Sequence, residues 1–196
     1  QEAVLTGVHV GGYGSDNQSS LYTLIHKILA ETDIPRIRLA SVEPWDLPDE
    51  FFSLFANPRL MPHMHLPLQS GSDTVLRRMA RRCKTTDFEN LIQQARRDID
   101  NFNVTTDIIV GFAGETESEW KDSIRFIEQV GFSHIHIFSY SQREGTKAAR
   151  LNDQVSPAIK KARNRELHTL ARSLRQQFLD TQLNRECQVL WETRNA

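Results

Sequence analysis

The sequence predicts an α/β fold of repeated strand–helix units, with parallel strands joined by right-handed helical crossovers. Three observations predict it. Short apolar runs alternate with stretches whose apolar residues fall at helical spacing. Nearly every run ends in glycine or polar residues, and helix-start signals follow those ends. Two architectures satisfy this pattern, an open doubly wound sheet and a (β/α) barrel, whole or partial. In both, ligands bind at the carboxyl ends of the strands.

The elements follow in order. Ala3 to Val10 is the first strand, ending in Gly11-Gly12-Tyr13-Gly14. Leu21, Leu24, Ile25, Ile28 and Leu29 share one helix face. Arg36 to Val42 is the second strand, closed by Glu43-Pro44, and Leu47 to Phe55 reads as a short apolar helix. His63 to Leu68 is the third strand, ending in Gln69-Ser70-Gly71-Ser72; Ser72 caps a helix carrying Val75, Leu76 and Met79. Thr86 and Glu89 have capping-box spacing ahead of Phe88, Leu91, Ile92, Ala95 and Ile99.

The fourth strand, with Ile108, Ile109 and Val110, runs into Gly111 and Gly114. A second capping box, Thr116 and Glu119, starts a helix with Trp120, Ile124 and Ile127, which stops at Gly131. Ser133 to Phe138 is the fifth strand, ending in Ser139-Tyr140-Ser141. Ser156-Pro157 is an N-cap with proline at the first helical position. The long helix after it has Ile159, Ala162, Leu167, Leu170, Leu174 and Phe178 as its stripe. The tail, Cys187 to Glu192, reads as a lone strand opening another unit.

Composition narrows the function classes. At 196 residues and 39% hydrophobic content, the chain has one full core. A formal net charge of −1 gives no global field for nucleic acid or anionic membrane, so RNA binding requires a local basic patch. No apolar run approaches the roughly 20 residues that span a bilayer. No signal-type segment opens the chain, which suits a cytoplasmic protein whose two cysteines, Cys83 and Cys187, are free thiols. The sequence begins almost directly with a strand, so the chain is expected to be cut from a longer parent.

Three constellations carry chemistry. The glycine-rich ends at 11–14 and 111–114 let a ligand approach the backbone closely, but neither has Walker or dinucleotide spacing. His63 and His65 share a strand face, as do His134 and His136, with Asp107 as a carboxylate nearby in the pattern. A metal-dependent hydrolase is one reading of these pairs. Their mid-strand position favours lumen-facing histidines and no metal. Arg77, Arg78, Arg81, Arg82 and Lys84 put five cations in eight residues at a helix end. That exceeds what a helix dipole needs and suits a phosphate backbone. On that feature alone, a non-catalytic RNA-binding module is a further alternative.

The strand ends LTGVHVGGYG, RIRLASVEP, HLPLQSGSDTVLRRMARR, TDIIVGFAGETESEW and HIHIFSYSQREGTKAA occur in this order. Together they resemble the catalytic core of radical S-adenosylmethionine methylthiotransferases, specifically the branch that thiomethylates threonylcarbamoyl-adenosine beside the tRNA anticodon. The resemblance implies a partial radical-SAM (β/α) barrel over 1–180. It also implies a linker and the start of a TRAM-like RNA-binding β-domain over 181–196.

The implied cofactors are S-adenosylmethionine and 4Fe–4S clusters, and the implied partner is tRNA; the sulfur donor is not indicated. In such enzymes the cluster cleaves S-adenosylmethionine, the radical abstracts hydrogen from an adenine carbon, and sulfur is inserted and methylated. The family's three-cysteine cluster loop has no counterpart here, so the chain is expected to begin at the second barrel strand and to be inactive alone. Open strand edges are expected to be covered by a second copy of the chain, by its terminal segment or by neighbours in a crystal. By the same resemblance, the cofactor contacts are Gly11, Gly12, Tyr13, Glu43, Gln69, Ser70, Gly111, Gly114, Glu115, Phe138, Ser139 and Tyr140, and the RNA contacts are Arg77, Arg78, Arg81, Arg82 and Lys84.

Overall fold

The computed structural model describes residues 1–43, 47–151 and 153–190. Five strands, β1 (Glu2–Leu5), β2 (Arg36–Leu39), β3 (Leu60–His65), β4 (Asn103–Val110) and β5 (His134–Ser139), form one sheet in the order β1-β2-β3-β4-β5. Every neighbouring pair is parallel. Strand order therefore equals chain order, with none of the reversal that makes a doubly wound sheet. The sheet is the wall of a half-barrel, and the barrel alternative holds.

Helices α1 (Leu21–Glu31), α2 (Asp73–Arg78), α3 (Thr85–Asp98), α4 (Glu117–Val130) and α5 (Pro157–Thr181) make the crossovers and the closing segment, with a 3-10 helix at Asp49–Ala56. The predicted helix at Leu47–Phe55 is this 3-10 turn, entered from Pro48. Alternation along β4 separates two faces. Val104, Thr106, Ile108 and Val110 are buried, whereas Asn103, Thr105, Asp107 and Ile109 are only partly covered. Val104, Ile108 and Val110 join Ile37, Leu39, Met64 and Leu66 in one core with Phe51, Phe88, Ile92, Trp120, Ile127 and Phe132. Each such side chain contributes about 1.5–3 kcal/mol of burial.

The local start and stop signals behave as read at three places. Thr116 and Glu119 form both bonds of their capping box, and Gly131 ends α4 with φ 67°. The Ser156 hydroxyl accepts from Ile159 N–H, with Pro157 at the first helical position. Ser72 occupies the N-cap of α2, but its hydroxyl bonds Thr74 Oγ1 at 2.9 Å instead of capping.

Several expectations are corrected, among them the third strand, which runs Leu60–His65 and not His63–Leu68. The Thr86–Glu89 box does not form: α3 starts at Thr85, whose N–H is taken by Asp73 Oδ1 at 2.8 Å. Glu89 instead accepts from Gln93 and Gln129. The first strand stops at Leu5, short of Val10, and Val8 is fully exposed. Its ladder runs out because β2 ends at Leu39 and Ser41 turns away at φ 56°. Pro44, read as closing the second strand, lies outside the described residues, as do Trp191 and Glu192 of the predicted tail strand. Cys187–Leu190 carry no strand. Among the described residues, β1 and β5 pair on one side only, and no helix is long and apolar enough to cross a membrane.

Candidate functional site

The carboxyl ends of β3, β4 and β5 meet around a cavity of about 420 Å³ lined by Gln69, Ile109, Phe138, Ser139, Tyr140, Ser141, Arg143, Thr146 and Ala148. Gln69 is held at φ 74°, a left-handed conformation that disfavours a side chain. Pairing on both sides sustains it: its N–H donates to Asp107 O at 2.8 Å, and its carbonyl accepts from Ile109 N–H at 2.9 Å. Ser70, also buried, accepts from Ser72 N–H at 3.3 Å. Ile109 and the half-exposed Phe138 are cross-strand partners and give the cavity apolar walls. The Tyr140 hydroxyl is buried with no partner among the described residues.

Gly111, Gly114 and Glu115 continue the exit of β4, and α5 holds Glu115. Glu115 is buried; its carboxylate accepts from Gly111 N–H at 3.0 Å and from Arg163 Nη1 at 2.9 Å. Burial pushes this carboxyl upward, against the pull of Arg163 and the Gly111 N–H. Arg163 also donates to Glu115 O at 3.1 Å and to Glu117 Oε2 at 3.3 Å. Lys160 donates to Tyr140 O at 3.0 Å and sits 5.0 Å from its ring centroid, joining this loop to the cavity wall. The Glu115 carboxylate is thus committed to α5, while the backbone turn with φ 72° at Gly111 and 74° at Gly114 remains at the strand exits.

At the other end of the sheet, Gly11 N–H donates to Glu43 Oε2 at 3.3 Å, so the exits of β1 and β2 are joined by residues read as cofactor contacts. Tyr13 follows in the same turn, half-exposed. These residues do not line the cavity between β3 and β5.

The basic segment is not all helical. α2 ends at Arg78, and Arg81, Arg82 and Lys84 lie on the connector to α3. Arg78 is spoken for: it donates to both Glu119 oxygens at 2.9 and 2.7 Å. Its Nε stands 3.7 Å from the place of a Cβ on Gly114, which sets the basic segment beside the strand exits. The Arg78 bond, with help from Thr116 and Thr74, holds the Glu119 carboxyl down at about 2. A depressed carboxylate stabilises the fold above its ordinary value of 4.5, and that contribution is lost as pH falls towards about 2. Glu119→Gln is therefore expected to destabilise the chain at pH 6, with the gap from wild type closing between pH 4.5 and 2. Urea unfolding across that window checks it, and a pH-independent gap would contradict it.

The histidine pairs face the lumen. Thr105 Oγ1 lies 3.1 Å from His63 Nε2 and 3.0 Å from His65 Nδ1, and His65 Nε2 lies 3.2 Å from Asp107 Oδ1. Burial, with Arg38 adjacent, lowers the His63 imidazole to about 4, so it is neutral at pH 7. Burial and then His136 lower His134 as well.

The two cysteines do not fit a 4Fe–4S cluster, which takes thiolates from several converging cysteines. Cys83 is half-buried against the core and Cys187 is exposed in the tail. Burial, then Asp87 and Asp73, push the Cys83 thiol up to about 12. A thiol reagent at pH 8 is expected to label Cys187 at least about tenfold faster than Cys83; equal rates would count against this burial.

Sequence reasoning missed Ile109, Thr146 and Ala148 in the cavity, and Lys160 and Arg163 behind it. Period-two alternation along β4 is the signal that assigns Ile109 to the lumen. Nothing local marks the other four.

Residues 2–127 match the Radical SAM superfamily. The chain is 40% identical over 193 residues to the threonylcarbamoyladenosine tRNA methylthiotransferase MtaB of Thermotoga maritima, covering 98% of this chain and 44% of that protein. It is 34% identical over 195 residues to the tRNA-2-methylthio-N(6)-dimethylallyladenosine synthase of Staphylococcus saprophyticus, covering 98% of this chain and 38% of that one. The chain thus spans less than half the length of these relatives. Among solved structures, the radical SAM enzyme coproporphyrinogen III oxidase (HemN) of Escherichia coli superposes with a TM-score of 0.63 at 15% identity, over 77% of this chain and 36% of that one. At that identity the likeness speaks for the fold.

Proposed function

Since the chain belongs to the radical SAM superfamily, we propose that it forms the S-adenosylmethionine-binding barrel of a tRNA methylthiotransferase acting on threonylcarbamoyl-adenosine. The observation that carries this reading is the cavity at the exits of β3, β4 and β5. Ile109 and Phe138 suit the faces of an adenine ring, and Gln69, Ser139 and the unpartnered Tyr140 hydroxyl suit ribose hydroxyls. Gly11, Gly12, Tyr13 and Glu43 would meet the amino-acid end across the barrel mouth.

When bound, S-adenosylmethionine supplies the sulfonium–adenosyl bond on which radical chemistry draws. The residues here hold the adenosyl group, fix its orientation and exclude water. Arg77, Arg81, Arg82 and Lys84 are exposed next to the same face and suit a tRNA backbone. Residues 1–180 would be the core, and 181–196 the lead into an RNA-binding β-domain.

Calorimetry with S-adenosylhomocysteine tests the cofactor reading. One saturable site is expected, weakened about tenfold, or about 1.4 kcal/mol, by Phe138→Ala and unchanged by Arg81→Glu. No saturable binding at millimolar ligand would overturn it. Arg81→Glu with Arg82→Glu should weaken tRNA binding and flatten its log–log salt slope by about 2; an unchanged slope would remove the RNA assignment.

A further inference from the structure

The lumen wall carries a second constellation, separate from the cavity. His65 ends β3, Asp107 is on β4 and His136 is on β5, so three adjacent parallel strands each contribute one potential ligand. The strand register sets Asp107 directly beside His136, and the His65 and His136 rings are 5.4 Å apart, edge to face. One nitrogen or oxygen from each of the three residues lies within 4.8 Å of the others. We propose that His65, Asp107 and His136 bind a divalent first-row transition ion such as Zn²⁺, with an open coordination position facing the barrel lumen.

The geometry is close to what such an ion requires. Ligands about 2.0–2.1 Å from a tetrahedral ion stand about 3.3 Å from one another, and His65 Nε2 is 3.2 Å from Asp107 Oδ1. His136 is exposed on the lumen face, with a ring nitrogen within 4.8 Å of the other two ligand atoms. The surroundings also orient the first ligand. Thr105 Oγ1, 3.0 Å from His65 Nδ1, can accept that N–H once Nε2 gives its lone pair to an ion. A hydroxyl in this place takes the part that a carboxylate, carbonyl or water plays for other metal-bound imidazoles. Thr105 can then turn its own O–H to His63 Nε2 at 3.1 Å, so the network accommodates either state without an orphaned hydroxyl.

Two imidazoles and one carboxylate select against Mg²⁺ and Ca²⁺, which favour oxygen cages. Three protein ligands with an open vertex are the pattern of sites that keep an exchangeable water, not of closed structural sites. The competing account is a plain His–Asp hydrogen bond with no ion, which predicts no stoichiometric metal affinity. The sequence reading of four histidines as a ligand set is replaced by one imidazole from each pair plus Asp107. The inference stands apart from the methylthiotransferase reading, because it needs neither S-adenosylmethionine nor tRNA.

The test titrates the full 196-residue chain with Co²⁺, followed by its visible absorption, and then displaces it with Zn²⁺; Mg²⁺ is the control. One equivalent of Co²⁺ with a tetrahedral-type band, displaced by one equivalent of Zn²⁺ and untouched by Mg²⁺, is expected. Asp107→Asn and His136→Gln should each weaken binding at least tenfold, and Zn²⁺ should raise the thermal midpoint of wild type but not of these variants. His26→Gln, on the exposed face of α1, should bind as wild type does. Circular dichroism checks the fold, and His136→Gln alters an exposed side chain if Asp107→Asn does not fold. Absence of a stoichiometric ion, or equal affinity in His136→Gln and wild type, overturns the proposal.

Discussion

Arg163→Ala is expected to cost the chain about 3–5 kcal/mol of stability at pH 7, the range for breaking a buried ion pair from one side. The Arg163 and Glu115 side chains are only 6% and 1% exposed. Removing the guanidinium leaves the Glu115 carboxylate in the core with the Gly111 N–H as its remaining donor. Burial already pushes this carboxyl upward with Arg163 present, and without it only the Gly111 N–H opposes the push. A carboxyl whose folded value is raised favours the folded state when protonated, so the penalty should shrink as pH falls below that value. Urea unfolding of Arg163→Ala at pH 7 and pH 5 measures both effects. Glu115→Gln with Arg163→Met, which removes both charges, should recover most of the loss. A penalty under about 1 kcal/mol at pH 7 would mean that α5 does not clamp the Gly111 loop.

Gly71→Ala should destabilise by about 1–3 kcal/mol, the overpacking range, and should carry cofactor affinity down with it. A Cβ at position 71 would stand 2.8 Å from Ser123 O, 2.9 Å from Ser123 Cα and 3.0 Å from Phe126 Cβ. These are backbone and stem atoms of α4, which cannot swing aside as the end of a long side chain would. The Gly71 N–H also donates to Ser123 Oγ at 2.8 Å, a bond that holds the Gln69–Ser72 turn against α4. Moving the turn moves Gln69 in the cavity. Gly145→Ala is the control: nothing lies within 4 Å of the added methyl, and only the backbone at φ 83° resists it. Unfolding and S-adenosylhomocysteine binding measured on both variants should separate them. A Gly71→Ala loss under about 1 kcal/mol with unchanged S-adenosylhomocysteine affinity would show that the turn is not packed against α4.

What could be read from the residues was mostly local chemistry. Thr116 with Glu119, Ser156 with Pro157, and Gly131 each satisfy backbone groups within four residues, so the sequence carries the whole interaction. The Thr86–Glu89 pair has the same spacing and fails, because Asp73, far back in the chain, takes the Thr85 N–H first. The exits were legible as a face for the same local reason: Gln69 and Ser139 follow apolar runs. Their grouping into one cavity was not, because it depends on β3, β4 and β5 lying side by side. Lys160 and Arg163 look like solvated charges on an amphipathic helix until α5 is laid against the Gly111 loop. Strand–helix periodicity alone left barrel and doubly wound sheet open, since both repeat the same unit and differ only in where each new strand docks; the ordered strand-end motifs, through the family they resemble, selected the partial barrel.

That docking rule has a bearing on biosynthesis. Because each strand joins the one made just before it, no ladder waits for a distant partner still inside the ribosome. Assembly can proceed vectorially as translation advances, each new strand docking on the edge just completed. A stall after β4 should therefore leave a nascent chain already protected from protease through β3.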